Sequence, residues 1–272
     1  MLDQQLPSTK EPKVGLALGS GGARGLAHIG ILKVFEEHDI PVHIIAGSSM
    51  GSLVGGLYAL GHSPVQMKKL TAYFPQKLWV DYTVPKMGLV AGEKLKEIIR
   101  LLTKNKKIEE AGIPLAIVAT HLEKGKRKVF RKGPMAEAIR ASVSIPGIFV
   151  PANIDGELFV DGGVIDRVPV SVVKDMGADI VIAVDVSYFE STSPIRSIFD
   201  VIAQTIDIME REILEQRMIE ADLILRPKVG HYSTTMFTKV DEIIEEGEKA
   251  ALAIIPRLKT LLAQGKETNE RV

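Results

Sequence analysis

The chain has 272 residues, of which 46% are hydrophobic and 25% are charged, the balance of a globular protein with a sizeable core. Lysine and arginine together number 34, and so do aspartate and glutamate, so no overall positive field favours a nucleic acid as partner. The absence of cysteine excludes disulfides, thiolate metal sites and a cysteine nucleophile.

Residues 1–12 are polar, contain two prolines and lack the apolar centre of a signal peptide. They are predicted to form a flexible tail before a single domain that covers residues 13–272. The longest apolar stretches, such as Ile180–Val184, are too short to cross a bilayer. These features predict a cytoplasmic protein and leave peripheral contact with a membrane open. Nothing in the sequence indicates an oligomeric state.

Strand-like and helix-like patterns alternate over the first sixty residues. Val14–Leu18 is predicted to be a buried strand, and the apolar residues from Leu26 to Phe35 recur at helical spacing. A second strand over Val42–Ala46 and a second helix that ends at Gly61 follow. This alternation predicts a parallel sheet that is covered by helices on both faces.

Three further strands are predicted, over Ile113–Ala119, Asp179–Val184 and Leu223–Leu225. Between the first two, Lys124–Lys128 has the composition of a solvated hairpin tip, and a phosphate site is the alternative interpretation.

The C-terminal part, residues 194–264, is predicted to be mostly helical. The segment Pro194–Glu220 carries an apolar stripe at helical spacing, which we interpret as ordinary packing and not as a membrane anchor. Asp241–Leu262 is predicted to form a closing helix.

A stretch of aromatic and aliphatic residues interleaved with lysines lies between Tyr73 and Leu89, and it includes Trp79, the chain's single tryptophan. One interpretation is a lid over an acyl channel that dips into a lipid interface. The alternative is a loop that packs on the core.

The pentapeptide Gly-Ser-Ser-Met-Gly at residues 47–51 lies between a predicted strand and a predicted helix. This is the context of a nucleophile elbow, in which a tight turn between Gly47 and Gly51 presents the hydroxyl of Ser49. The amino end of the following helix would favour negative charge on that oxygen. A small-residue turn without chemistry is the alternative.

A second glycine-rich loop, residues 19–25, also separates a strand from a helix. A dinucleotide-binding loop would require glycine where Arg24 stands, and no acidic residue follows the second strand. The other interpretation is an oxyanion hole formed by backbone N–H groups of Gly21 and Gly22, with the guanidinium of Arg24 holding the loop.

The proton acceptor for Ser49 has two candidates in the sequence. Of six histidines, only His231 comes late enough for the order Ser…Asp…His, with Asp185 as its partner. The other candidate is Asp161, which ends an apolar run and is followed by Gly162 and Gly163. Apolar neighbours would raise the pKa of that carboxyl towards the working pH. An ordinary Asp-Gly turn is the alternative for Asp161.

Together these segments resemble the patatin-like phospholipase family, in particular its bacterial branch related to neuropathy target esterase. The resemblance rests on "GSGGARGLAHIG", "GSSMG" and "DGG" in the family's order, and on "ASVSIPGIFVP" and "VDGGVIDRVPV". It covers about residues 13–185. One departure is visible, because the family loop usually has glycine at the position of Ser20.

The resemblance implies a three-layer α/β/α fold with a largely parallel sheet and a Ser–Asp dyad without histidine. Ser49 would be the nucleophile and Asp161 the base, and the oxyanion hole would involve Gly21, Gly22, Ala23 and Arg24. It implies phospholipase A, lysophospholipase or esterase activity on a lipid or lysophospholipid, with no metal or cofactor. A member that binds or regulates lipid without catalysis is the alternative.

Overall fold

The computed structural model describes residues 11–73, 78, 80–84, 86–187, 195, 198–218 and 220–270. The strands are β1 Val14–Leu18, β2 Ile44–Ser48, β3 Gly88–Val90, β4 Leu115–His121, β5 Lys126–Phe130, β6 Gly147–Phe149, β7 Ala152–Ile154, β8 Glu157–Asp161, β9 Ile180–Val184 and β10 Leu223–Leu225. The helices are α1 Ala27–Glu37, α2 Met50–Ala59, α3 Pro64–Tyr73, α4 Glu93–Leu102, α5 Met135–Ser142, α6 Val170–Asp175, α7 Ile198–Met218 and α8 Val240–Glu270.

Within these residues, eight strands form the main sheet in the order β10-β9-β1-β2-β4-β8-β7, and β5 pairs with β4 as well. The strands β10, β9, β1, β2 and β4 run parallel to one another. The strands β5, β7 and β8 pair antiparallel. The prediction of a largely parallel sheet is therefore confirmed.

Helices cover both faces of this sheet, as the alternation of side chains along β1 shows. Leu16 and Leu18 belong to a core beneath α1 and α8, whereas Ala17 belongs to a second core with Val173 of α6 and Leu214 of α7. Side chains that alternate along a strand point to opposite faces. The predicted three-layer arrangement is confirmed. The single domain and the tail over residues 1–12 stay predictions, and residues 1–10 lie outside the described residues.

Two strands of the main sheet, β2 and β4, lie two residues further along the chain than their apolar runs predict. The strand predicted over Val42–Ala46 runs from Ile44 to Ser48, and the strand predicted over Ile113–Ala119 runs from Leu115 to His121. The added residues are polar or small because they line the carboxyl edge of the sheet. An apolar run therefore ends before the strand does.

The register along β4 brings two strand ends together. Ser48 of β2 pairs with Val118, and Asp161 of β8 pairs with the next residue, Ala119. Since β5 occupies one edge of β4 over Ile117–His121, β2 and β8 share the other edge. The chain segments that follow these two strands therefore start side by side.

A small parallel sheet of β3 and β6 lies apart from the main one, and Ile202 of α7 packs against its apolar residues. The prediction that the stripe of α7 is ordinary packing is correct for Leu214 and wrong at the other end. Ile195, Ile198 and Met209 have more than half of their surface exposed. The second core covers the C-terminal turns of α7, and the small sheet lies beneath Ile202 near its start.

Within the described part of the chain, no helix is long and apolar enough to span a bilayer. In the stretch between Tyr73 and Leu89, residues 74–77, Trp79 and residue 85 lie outside the described residues. Tyr82 and Met87 are exposed.

Candidate active site

Ser49 occupies a strained turn between β2 and α2. Its backbone angles are φ 50° and ψ −121°, a conformation that residues other than glycine rarely adopt. A Cβ at Gly51 would overlap the carbonyl group of Leu18, and a Cβ at Gly47 would lie 2.5 Å from Cα of Ser52. The two glycines are therefore required by the close approach of the neighbouring backbone.

The hydroxyl of Ser49 meets the carboxyl group of Asp161. Ser49 Oγ donates a hydrogen bond of 2.6 Å to Asp161 Oδ2. The other carboxyl oxygen, Oδ1, accepts from Gly163 N at 2.8 Å and from Ser20 Oγ at 3.4 Å. Both Ser49 and Asp161 have 4% of their surface exposed. The structure thus places the hydroxyl of Ser49 in direct contact with a carboxyl group that is almost completely buried.

Burial raises the pKa of Asp161 to about 6. Four smaller effects lower this pKa. In decreasing order they are the hydrogen bonds from Ser49 and Gly163, the positive charge of Arg167 and the hydrogen bond from Ser20. Desolvation has the larger effect, because the carboxylate loses more stabilisation from water on burial than these hydrogen bonds and this charge provide. The result is a carboxyl group that takes up a proton close to neutral pH.

Gly162 and Gly163 allow the loop after β8 to lie against two other segments. A Cβ at Gly162 would overlap the carbonyl group of Val118, and a Cβ at Gly163 would lie 2.6 Å from Ser20 Oγ. The glycine-rich loop after β1 therefore contacts the Asp161 segment directly.

The same loop contacts the turn at Ser49. A Cβ at Gly25 would lie 2.5 Å from Cγ of Met50, the residue after the serine. Buried Arg24 holds the loop in place, since its Nε donates to the carbonyl of Tyr232 at 2.7 Å and its Nη2 donates to the carbonyl of Gly230 at 3.3 Å.

The backbone N–H groups of the loop divide into two kinds. Ala23 N donates to the carbonyl of Thr234 at 2.7 Å, and Arg24 N donates to the carbonyl of Gly21 at 3.2 Å. Among the hydrogen bonds of the described residues, none is donated by the N–H of Gly21 or Gly22. Of the four residues predicted for an oxyanion hole, Ala23 and Arg24 therefore have their amides engaged by the protein itself.

A buried histidine, His28, lies beneath the loop, and no sequence motif marks it as a site residue. His28 Nε2 lies 2.9 Å from the carbonyl oxygen of Gly19, and the ring is fully buried. Burial lowers the pKa of His28 to about 4, so the ring is neutral near pH 7 and Nε2 carries the hydrogen that Gly19 accepts. The periodicity of α1 places this residue near the loop but does not show its burial.

Ser142, in the segment "ASVSIPGIFVP", is a second site residue that no motif identifies in the sequence. Its hydroxyl accepts the N–H of Ser49 at 2.8 Å. The partners are 93 positions apart in the sequence, and no local pattern predicts such a contact.

The structure does not join Ser49 to the alternative pair, Asp185 and His231. Asp185 Oδ1 accepts from the N–H and the hydroxyl of Ser187, at 2.9 and 2.6 Å. The ring of His231 is exposed and lies 4.0 Å from the ring of Tyr232, centroid to centroid. In the described residues, no hydrogen bond connects either residue to Ser49.

Comparison with known proteins gives one family and several relatives. Residues 16–174 match the family of patatin-like phospholipases. An uncharacterised NTE family protein of Mycobacterium bovis is 40% identical over 186 residues, which cover 67% of this chain and 51% of that protein. Lysophospholipase NTE1 of Pyricularia oryzae is 30% identical over 278 residues, which cover 90% of this chain and 18% of that protein.

The chain thus spans about half the length of the mycobacterial relative and less than a fifth of the fungal one. Among solved structures, VipD from Legionella pneumophila superposes with a TM-score of 0.66 at 14% identity, covering 92% of this chain and 67% of that one. At this identity the likeness concerns the fold.

Proposed function

The chain belongs to the patatin-like phospholipase family, and from that premise we propose that it hydrolyses acyl ester bonds of lipids, with Ser49 as nucleophile and Asp161 as general base. The observation that carries the proposal is the 2.6 Å hydrogen bond from Ser49 Oγ to a carboxyl group with 4% of its surface exposed. A base with a pKa of about 6 is ionised at neutral pH and still accepts a proton.

In the first half-reaction, Asp161 Oδ2 takes the proton of Ser49 as Oγ attacks the ester carbonyl carbon. The tetrahedral oxyanion accepts hydrogen bonds from the N–H groups of Gly21 and Gly22. The intermediate collapses when the bond to the alcohol oxygen breaks, and Asp161 returns the proton to that oxygen. Ser49 then carries the acyl group as an ester.

In the second half-reaction, Asp161 takes a proton from water, and the hydroxide oxygen attacks the acyl carbon. The bond from this carbon to Ser49 Oγ breaks, and the proton returns from Asp161 to the serine. The fatty acid leaves, and the enzyme is restored.

The substrate class proposed is a phospholipid or lysophospholipid. The fungal relative is named a lysophospholipase, and its alignment includes Ser49 and Asp161 because it covers 90% of this chain. A short ester would react at the same two residues, so esterase activity is part of the proposal.

We further propose that the protein contacts the lipid aggregate around the small sheet of β3 and β6. Exposed apolar side chains flank this sheet from two segments, Tyr82 and Met87 before β3 and Ile198 and Val201 on α7. Val80 and Ile202 of the same segments pack on one apolar cluster with Phe149. Apolar surface of this kind binds at a membrane interface.

The test compares Ser49→Ala, Asp161→Asn and His231→Ala with the wild type, using hydrolysis of a short nitrophenyl ester and labelling by a fluorophosphonate. We expect no labelling of Ser49→Ala and a fall in activity of about 10²–10⁴-fold for Asp161→Asn. His231→Ala should stay within about twofold of the wild type, since its ring is exposed.

Full activity of Asp161→Asn together with loss in His231→Ala would establish the triad with Asp185 instead. A wild-type protein that neither hydrolyses esters nor labels would favour the non-catalytic, lipid-binding alternative. Release of fatty acid from a lysophospholipid by the wild type tests the substrate class.

A further inference from the structure

We infer that Ser142, at the C-terminal end of α5, is the positioning residue that holds Ser49 in its reactive geometry. The inference rests on the proposed function, because it concerns the step in which Ser49 attacks. The backbone at Ser49 is strained, with φ 50° and ψ −121°. A residue keeps such a conformation only when its surroundings hold it there.

The hydroxyl of Ser142 fills a gap in the hydrogen bonding of the sheet. The strand β2 ends its pairing with β4 at Val118, and β8 begins its pairing at Ala119. Ser142 Oγ donates to the carbonyl oxygen of Val118 at 2.6 Å and accepts the N–H of Ser49 at 2.8 Å. A single hydroxyl therefore serves the backbone groups at the junction of the two strands.

These two bonds fix the direction of the hydroxyl. A serine hydroxyl has one hydrogen and two lone pairs, and the hydrogen goes to Val118. A lone pair therefore points at the N–H of Ser49. Ser142 has no exposed surface and Ser49 has 4%, so water has little access to replace the bond.

The segment that carries Ser142 also holds the proposed base. Two residues later, the carbonyl of Ser144 accepts the N–H of Asp161 at 2.9 Å. The side chain of Ser144 accepts a hydrogen bond from the buried guanidinium of Arg140. That guanidinium also donates to the carbonyls of Gly92 and Val150, each at 2.9 Å.

One short segment thus sets both sides of the contact between Ser49 Oγ and Asp161 Oδ2. Ser142 holds the backbone of the nucleophile, and the backbone of Ser144 holds that of the base. Loss of the Ser142 hydroxyl leaves the N–H of Ser49 and the carbonyl of Val118 without this partner. The strained turn then relaxes, and a displacement of the nucleophile by even about 1 Å lowers the rate strongly.

The experiment compares Ser142→Ala with Thr103→Val in the full chain. Thr103 has no exposed surface, and its hydroxyl donates to the carbonyl of Ile99 at 2.8 Å in α4. Both changes remove a buried hydroxyl that binds a backbone carbonyl, but only Ser142 contacts Ser49. Unfolding by urea measures the stability of each variant, and a fluorophosphonate measures the reactivity of Ser49.

For Ser142→Ala we expect kcat on a short nitrophenyl ester to fall about tenfold to a hundredfold, with KM within about twofold of the wild type. The rate of fluorophosphonate labelling should fall by a similar factor. The acid limb of the pH profile should move to higher pH, because a displaced Ser49 donates a weaker hydrogen bond to Asp161, and that bond lowers the pKa of the carboxyl group. Thr103→Val should lose stability and keep kcat. Ser142→Cys, which retains a weaker hydrogen-bonding group, should be intermediate.

Labelling and kcat of Ser142→Ala equal to those of the wild type would overturn the inference, and so would an equal loss of kcat in Thr103→Val. If Ser142→Ala does not fold, Ser142→Cys decides by the same two measurements. A wild-type protein that does not react with the fluorophosphonate would instead overturn the proposed function.

Discussion

The carboxyl group of Asp161 has lost nearly all contact with water, yet the hydroxyl of Ser49 and the amide of Gly163 donate to it. These surroundings replace part of the hydration that a carboxylate requires, and the remaining deficit raises its pKa to about 6. A free aspartate with a pKa near 4 would accept a serine proton poorly. In the proposed mechanism, the buried Asp161 therefore takes the place of the histidine of a catalytic triad.

The proposed base predicts how activity depends on pH. In the proposed mechanism Asp161 is ionised when it accepts the proton of Ser49, so kcat/KM should rise with pH through an apparent pKa of about 6 and level off above it. Below that value, activity should fall about tenfold per pH unit, because the fraction of ionised carboxyl falls by that factor. The measurement is the rate of nitrophenyl ester hydrolysis from pH 4 to 8. An acid limb centred near pH 4 would show that burial does not control this group.

At the scale of elements, α7 shows how one helix serves two surroundings. Its C-terminal turns bury Leu214 and Met218 in the second core, whereas Ile198, Val201 and Met209 are exposed. Helical spacing of apolar residues shows that a helix has an apolar face, but it does not show what covers that face. Here the face extends beyond the core, towards the small sheet of β3 and β6.

Binding to lipid vesicles tests the proposed role of this surface. The double variant Tyr82→Ser, Ile198→Ser removes two side chains that are 78% and 59% exposed. We expect its affinity for phosphatidylcholine vesicles to fall about tenfold or more, since each side chain contributes on the order of 1–2 kcal/mol when buried in an apolar interface. The measurement is cosedimentation with vesicles.

Leu252→Ser is the matched control, because Leu252 is 50% exposed on α8, the helix that packs against α1. An equal loss of vesicle binding in this variant would show a general effect of surface hydrophobicity and would remove the proposed lipid-contacting surface.

For the whole molecule, two buried groups change the free energy of unfolding in opposite directions. Burial lowers the pKa of His28 from 6.5 to about 4, so between these values the unfolded chain binds a proton that the folded chain does not. This contribution makes the protein more stable as pH rises from about 4 to 6.5. Burial raises the pKa of Asp161 from 3.8 to about 6, so there the folded chain holds the extra proton. This contribution makes the protein less stable as pH rises over that interval.

The variant Asp161→Asn should separate the two contributions. Near pH 4 to 6 they nearly cancel in the wild type, whereas the variant keeps only that of His28. The stability of the variant relative to the wild type should therefore increase with pH, by about 1.4 kcal/mol per pH unit between pH 4 and 6, and then stay constant above about pH 6. Urea unfolding at several pH values measures this difference.

Asp155→Asn, which removes an exposed carboxyl group in a turn, controls for the loss of charge. A stability difference between Asp161→Asn and the wild type that is the same at pH 4 and pH 7 would contradict the raised pKa of Asp161.

Local sequence determined the features that depend on neighbouring residues. The strands at Val14–Leu18 and Leu223–Leu225 have the predicted bounds. The Gly-Ser-Ser-Met-Gly turn lies between a strand and a helix, as predicted. Glycine is required at positions 47 and 51 because the neighbouring backbone leaves no room for a side chain. Hydrophobic periodicity and glycine positions carry this information, since both reflect the immediate surroundings of each residue.

The contact between Ser49 and Asp161 is visible only in the tertiary structure, and so are the contacts of Ser142 and His28. Ser49 and Asp161 are 112 positions apart, and they meet because β2 and β8 share one edge of β4 with their ends adjacent. Strand order and register are set by the packing of the whole sheet, and no short stretch of sequence encodes them. The N–H of Ala23 is a further example. The sequence made it a candidate for the oxyanion hole, but in the fold it donates to the carbonyl of Thr234.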